Sequence, residues 1–416
     1  MKKILIIIDG LGDRGIKQFN GQTPLEEADT PNLDALTKEG KLGLMYPISE
    51  NYAPESHTAV LSILGNDLLN SARGVFEALG AGIKLNRGDL ALRANFATVD
   101  NLKNRRMIDR RAGRTLSTKE AKQLAKSINK QIKLPVEFEF IPTVQHRGVF
   151  VLRGGFSDNI TNIDVYRHEK GVIEVKDKFN WCQALDEDEN TEFAANLVNS
   201  FVDQSFKILN EHPINKIRKK RGLMPANVIL ARDAGIEVPK LKKFNKSMAI
   251  VNMPVERGIA TISGMDIYSM EYPNMKNYDV YENLYSGLNK MMKFAIKILK
   301  RKGKKYDFCY IHFKETDVPG HDNKPFEKKN FIEMLDKTFF SFLRRYVEKN
   351  KIKLIVTADH STPCKLKTHS ADPVPVLFYN GVEKDSVEKF SEQLAEKGKF
   401  GKVKGKDLLK KAGFVK

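Results

Sequence analysis

The chain has 416 residues, 41% of them hydrophobic, and carries 70 Lys and Arg against 52 Asp and Glu, a net charge of +18. This length exceeds one simple domain, no stretch approaches the roughly 20 consecutive apolar residues of a membrane span, and Cys182, Cys309 and Cys364 are too scattered for a disulfide framework or a cysteine-rich zinc module. Lysines are spread along the chain with no helix-turn-helix, zinc-finger or RNA-binding pattern beside them, so the expectation is a cytoplasmic protein without nucleic-acid or membrane partners, whose positive field serves a small anionic substrate.

Residues 3–8, KILIII, suit a strand buried on both faces; the run stops at Asp9 and Gly10 with no small-residue cleavage site, so no signal peptide is expected. Residues 30–40, TPNLDALTKEG, have helical spacing and a glycine stop. In ENYAPESHTAVLSILG, Ser56 follows a Pro-Glu turn and heads another helical pattern. Spacing leaves open whether it is only a cap or a nucleophile set against backbone N–H groups and the helix dipole. Residues 87–185 change texture, with alternating strands in DLALRANFATV and VEFEFIPTVQHRGVFVLRG and a lysine-rich helix over 117–130. Two further β-rich runs, YDFCYIHF and IKLIVTAD, each follow a long helical segment. This alternation predicts an α/β fold, a doubly wound and mostly parallel sheet, with residues 1–86 and 186–416 as its core and 87–185 as an inserted α+β cap domain.

The crevice of such a sheet lies at the carboxyl ends of its strands. Asp9 follows the first strand, Asp317 and His321 lie in KETDVPGHD after the second run, and Asp359 and His360 end the third, with His369 a loop later. Three carboxylates converging there would repel one another unless cations join them, and mixed Asp/His ligation suits zinc or manganese. Two adjacent ions point to phosphoryl transfer. NRRMIDRRAGR places Arg105, Arg106, Arg110, Arg111 and Arg114 around Asp109. These arginines suit a phosphate or carboxylate pocket; a merely basic loop remains the alternative.

Together the motifs IIIDGLGDR, QTPLEEADTPNLDALTKEG, FEALGAGIKLNRGDLALRANFATVD, DRRAGR, GLMPANVILARDAG, KETDVPGHD and TADHSTPCKLKTHSADPVPVLF span nearly the whole chain. In them it resembles the archaeal-type 2,3-bisphosphoglycerate-independent phosphoglycerate mutases of the alkaline phosphatase superfamily. The resemblance implies a glycolytic and gluconeogenic isomerase that interconverts 2- and 3-phosphoglycerate through a phosphoserine. It would need two divalent ions, Mn2+ ahead of Zn2+, Co2+ or Mg2+, and no 2,3-bisphosphoglycerate. A phosphatase or another phosphotransferase on the same scaffold is the alternative, and a homo-oligomer is left open.

Carried over by position, one ion would be held by Asp9, Ser56, Asp359 and His360 and the other by Asp317, His321 and His369. Lys314 would stand beside the reacting phosphate. Asp109, Arg110, Arg111 and Arg114 would bind substrate, with Arg93, His146, Arg147 and Arg232 as further candidates. The chain departs from the pattern at His57, where relatives commonly have Asp, and at Val60, where many have His. His57 either alters proton handling or substrate preference, or faces solvent on the first helical turn.

Overall fold

The structure is a computed structural model that describes the chain except for residues 68–70, 165, 170, 277 and 416. Its main sheet has eight strands. Asp266–Tyr268, Ser247–Ile250, Phe308–Phe313, Lys3–Ile8 and Lys353–Thr357 run parallel, in that order, as the sequence predicts. Val374–Tyr379 then adds antiparallel, Lys41–Tyr46 pairs antiparallel with it, and Gly401–Lys404 closes the edge.

The side chains of Ile4 to Ile8 are almost wholly buried, as a parallel strand covered on both faces requires. Each contributes about 1.5–3 kcal/mol of apolar burial. Register then places the site. Ile8 lies opposite Phe313 and Ile7 opposite Thr357, so the residues following the three strands emerge at one height on one edge.

The second α-helical run is not one helix. Pro325–Leu335 and Ser341–Asn350 are joined through a π-helical turn at Asp336–Phe340. That turn aims Asp336 at the start of the Pro31–Lys38 helix, where its carboxylate accepts from the backbone N–H groups of Leu33 at 2.7 Å and Asn32 at 3.2 Å. Those donors would otherwise be orphans, because Thr30 makes no side-chain cap.

A second, antiparallel sheet is built on the long strand Leu90–Val99. Arg147–Leu152 and then Phe138–Pro142 lie on one side, Met107–Asp109 pairs at its end, and Val228–Gly235 lies on the other side. Helices Thr118–Gln131 and Glu189–Glu211 cover this sheet and share its apolar core. The expected cap limit at residue 185 therefore falls short of this second core. Its sheet is completed by a strand more than 40 residues further on, and no shift of composition at 185 marks the difference. The two bodies meet where helix Arg73–Gly80 crosses helix Pro254–Ile262. A Cβ on Gly258 would fall 1.9 Å from the Phe76 carbonyl oxygen, so only glycine permits that approach.

Candidate active site

The strand tips open into a cavity of about 900 Å³ between the two bodies. Ser56, Lys314, Asp317, His321 and His369 line it, while Asp9, Asp359 and His360 are buried beneath. All of the expected ligands are thus brought together. His360 Nε2 lies 3.2 Å from Asp9 Oδ1, 3.2 Å from Ser56 Oγ and 3.5 Å from Asp359 Oδ2. Beside this group, Asp317 stands 3.3 Å from His321 Nε2 and 3.7 Å from His369 Nε2. The two groups touch, since the rings of His360 and His369 stack with centroids 3.7 Å apart.

Each imidazole is turned the same way. Nδ1 of His321 lies 2.9 Å from the Lys367 carbonyl oxygen, Nδ1 of His369 lies 2.8 Å from that of Pro54, and Nδ1 of His360 lies 3.0 Å from Thr362 Oγ1. A carbonyl only accepts, so Nδ1 of His321 and His369 carries the proton and Nε2 presents a lone pair to the carboxylates. Metal-ligating histidines are oriented in this manner. Asp9 and Asp359 are buried, and Oδ1 of Asp9 and Oδ2 of Asp359 accept no hydrogen bond. The Lys314 ammonium against Asp9 offsets only part of this buried charge, and a cation is the fitting partner for the rest. Asp9, Asp359 and His360 offer ligand atoms within 4.8 Å of one another, as do Asp317, His360 and His369. Burial opposes ionisation of Asp317, yet His321, His369 and His360 together hold its carboxyl well below the usual range. Burial lowers the pKa of His369 and His360 from the ordinary imidazole value, which favours the neutral form that ligates, while Asp317 pulls the other way.

Ser56 is the first residue of the helix Ser56–Ile63, whose cap position is Glu55, and its hydroxyl is directed at side chains rather than at the helix backbone. It faces His360 and lies 3.4 Å from Lys314 Nζ. The Lys314 ammonium lies against Asp9 and 3.0 Å from Glu256, and burial pushes its pKa down. Two participants were not foreseen. Buried His312 sits with Nε2 3.6 Å from both Asp9 and Asp359, and buried Glu256 contributes with Asp9 and His312 a third group of convergent ligand atoms. His312 lies inside the strand Phe308–Phe313 rather than after it, and Glu256 comes from a helix with no local motif.

The arginines divide. Arg114 reaches across to Asp322 at 2.5 Å, beside His321. Arg110 is engaged by Asp164 and the Lys176 carbonyl. Asp109 accepts from the backbone N–H groups of Arg111 at 2.7 Å and Gly113 at 2.8 Å, so its carboxylate shapes the loop that carries the arginines. Arg93 and Arg232 lie side by side in the second sheet, 4.0 and 3.7 Å from Glu55, with Arg73, absent from the sequence-based set, 3.1 Å away. Burial, then repulsion from Arg232 and Arg73, lowers Arg93 to about 9. Burial and Arg114 lower Arg111 to about 10. His146 is held well below its usual range by burial and by Arg147, Arg111 and Arg114. Cations forced to repel one another in a cavity would be relieved by an anionic ligand.

His57 does not face solvent. It is 7% exposed, with Nδ1 3.7 Å from Glu55, and burial lowers its pKa from 6.5 to about 4. Because the folded-state value lies below the unfolded one, the stability it contributes is fully present above pH 6.5 and is lost as pH falls through 4. The amount is about 3 kcal/mol. His57→Gln should reduce the difference in urea-unfolding free energy between pH 7 and pH 4 by about that much relative to the unmodified chain, both measured in chelator.

Comparison with known proteins gives the family. A family model described as 2,3-bisphosphoglycerate-independent phosphoglycerate mutase matches residues 37–215. A protein of that name from Thermococcus kodakarensis is 40% identical over 98% of this chain and 95% of its own length. The chain belongs to the 2,3-bisphosphoglycerate-independent phosphoglycerate mutases. Another phosphoglycerate mutase of this name, from Methanocaldococcus jannaschii, is 37% identical over 98% of this chain and 96% of its own. Among solved structures, a Pyrococcus horikoshii protein superposes with a TM-score of 0.75 at 31% identity, covering 100% of this chain and 98% of its own. The cofactor-independent phosphoglycerate mutase of Thermoplasma acidophilum gives 0.56 at 28% identity, covering 99% and 98%. The family is one of isomerases, and buried Asp/His groups able to hold metal are present in this member. Among the described residues, no helix is long and apolar enough to cross a membrane.

Proposed function

We propose that the protein interconverts 3-phosphoglycerate and 2-phosphoglycerate by passing the phosphoryl group through Ser56, in the cytoplasm, with two divalent ions and without 2,3-bisphosphoglycerate. Asp9, Ser56, Asp359 and His360 would hold one ion, and Asp317, His321 and His369 the other, with Mn2+ first in order of expectation. The observation that carries this reading is the common orientation of three imidazoles, Nε2 inward, around buried carboxylates beside a serine hydroxyl. When bound, the ions neutralise the carboxylates, lower the pKa of the serine hydroxyl and offset charge on the transferring group.

The chain's own residues do the rest. The Ser56 oxygen, aided by the positive end of its helix, gives up its proton and bonds to phosphorus as the bond to the glycerate oxygen breaks, and that departing oxygen takes up one proton in return. The Lys314 ammonium, 3.4 Å from that oxygen, faces the charge that develops on the phosphoryl oxygens. Arginines from the second sheet and from the loop around Arg111 and Arg114 retain the glycerate until its other hydroxyl accepts the phosphoryl group. Retention is what separates a mutase from a phosphatase.

A coupled assay for 2-phosphoglycerate formed from 3-phosphoglycerate, without bisphosphoglycerate and beside a phosphate-release assay, tests the proposal. Mutase turnover should dominate; dominant phosphate release would overturn it. Arg114→Ala should lower kcat/KM by about tenfold to a hundredfold through loss of a charged hydrogen-bonding contact. Its metal content, measured by elemental analysis, should be unchanged. An unaltered kcat/KM would reduce this loop to a basic surface.

A further inference from the structure

We infer that Thr362 is a positioning residue that couples the two ligand groups, held in place by the buried Lys328–Asp13 ion pair. This rests on the two-ion reading above. Thr362 is fully buried, and its Oγ1 donates to Asp317 Oδ1 at 2.8 Å while lying 3.0 Å from His360 Nδ1. A hydroxyl has one proton to give. With that proton on Asp317, Oγ1 accepts from His360 Nδ1–H, which leaves the Nε2 lone pair facing Asp9 and Ser56, each at 3.2 Å. One side chain thus orients a carboxylate in one group and selects the tautomer of an imidazole in the other.

The surroundings are built to this hydroxyl. Gly10 has φ of +59°, and a Cβ there would lie 2.7 Å from both Thr362 Oγ1 and Asp317 Oδ1. A Cβ on Gly320 would lie 2.4 Å from the Thr362 carbonyl oxygen. The backbone of Thr362 is fixed on both sides. Its N–H donates to the Gly12 carbonyl at 3.0 Å, and its carbonyl accepts from Lys328 Nζ at 3.1 Å. Lys328 is fully buried and also reaches the Gly12 carbonyl at 2.9 Å and Asp13 at 2.8 Å, so all three ammonium protons have acceptors. Asp13 in turn accepts from the Cys364 backbone N–H at 3.1 Å. A single ammonium therefore ties the loop carrying Asp9 to the loop carrying His360, with Thr362 at the junction.

The experiment uses the full chain, freed of metal and titrated with Co2+ by calorimetry and visible absorption. Thr362→Val keeps the shape and removes the hydroxyl. The affinity for both ions should fall by about tenfold to a hundredfold, as loss of a ligand's hydrogen-bonding support does, and the absorption band should change. Thr362→Ser should restore affinity and spectrum. If Thr362→Val fails to fold, Thr362→Ala against Thr362→Ser isolates the hydroxyl in the same way. Two ions bound by the hydroxyl-free variant with unchanged affinity and spectrum would overturn the inference and leave the two-ion reading intact. Failure of the unmodified chain to bind two ions would overturn both.

Discussion

Ser56→Ala is expected to lower mutase turnover by more than about a thousandfold, because it deletes the proposed nucleophile together with one proposed ligand of the first ion. Alanine keeps the start of the Ser56–Ile63 helix, since Glu55 holds the cap position and the serine hydroxyl bonds to His360 and Lys314 instead. On the proposed reading, Asp9, Asp359 and His360 would remain to hold one ion, and Asp317, His321 and His369 the other. The variant should therefore fold with a near-normal unfolding temperature and still take up divalent metal in calorimetric titration. Substantial residual mutase activity would remove Ser56 from the reaction.

Chelation is the second large effect. Metal-stripped protein should be inactive and should recover with Mn2+, whereas Asp359→Ala should stay inactive in excess metal. Stability moves with occupancy: at an ion concentration a hundredfold above Kd, one site adds about 2.7 kcal/mol to folding. Differential scanning calorimetry with and without Mn2+ should thus show an upward shift in the unmodified chain and a smaller one in Asp359→Ala. Full activity in a chelator-treated sample, verified free of metal, would contradict the two-ion reading.

The strand tips were legible in sequence because a buried apolar run gains nothing from ending on Asp or Asp-His unless those groups have a task there. KILIII and IKLIVTA predict buried parallel strands, and parallel register then brings Asp9, Asp317 and Asp359 to one edge. His312 was hidden by the same logic. It sits within such a run, where an imidazole looks like an incidental core residue, and only the pairing of Phe308–Phe313 with Lys3–Ile8 sets it against Asp9. Arg73, Glu55 and Glu256 come from helix starts and turns with no shared motif, and long-range packing alone collects them. Asp109 is a different case. The resemblance implied a role toward substrate; Asp109 does line the cavity, and its Oδ1 accepts from backbone N–H groups of its own loop, a second task that sequence does not show. The second sheet misled at its boundary because the strand Val228–Gly235 returns to it after a 23-residue helix that reads as an ordinary core helix.

The most direct measurement is peptide mapping of the enzyme quenched in acid during turnover of phosphate-labelled 3-phosphoglycerate. Label should be found on the peptide containing Ser56, located on the serine, and should pass to 2-phosphoglycerate without exchanging with phosphate in the medium. Label on His57 or another histidine, or complete exchange with medium phosphate, would contradict transfer through Ser56.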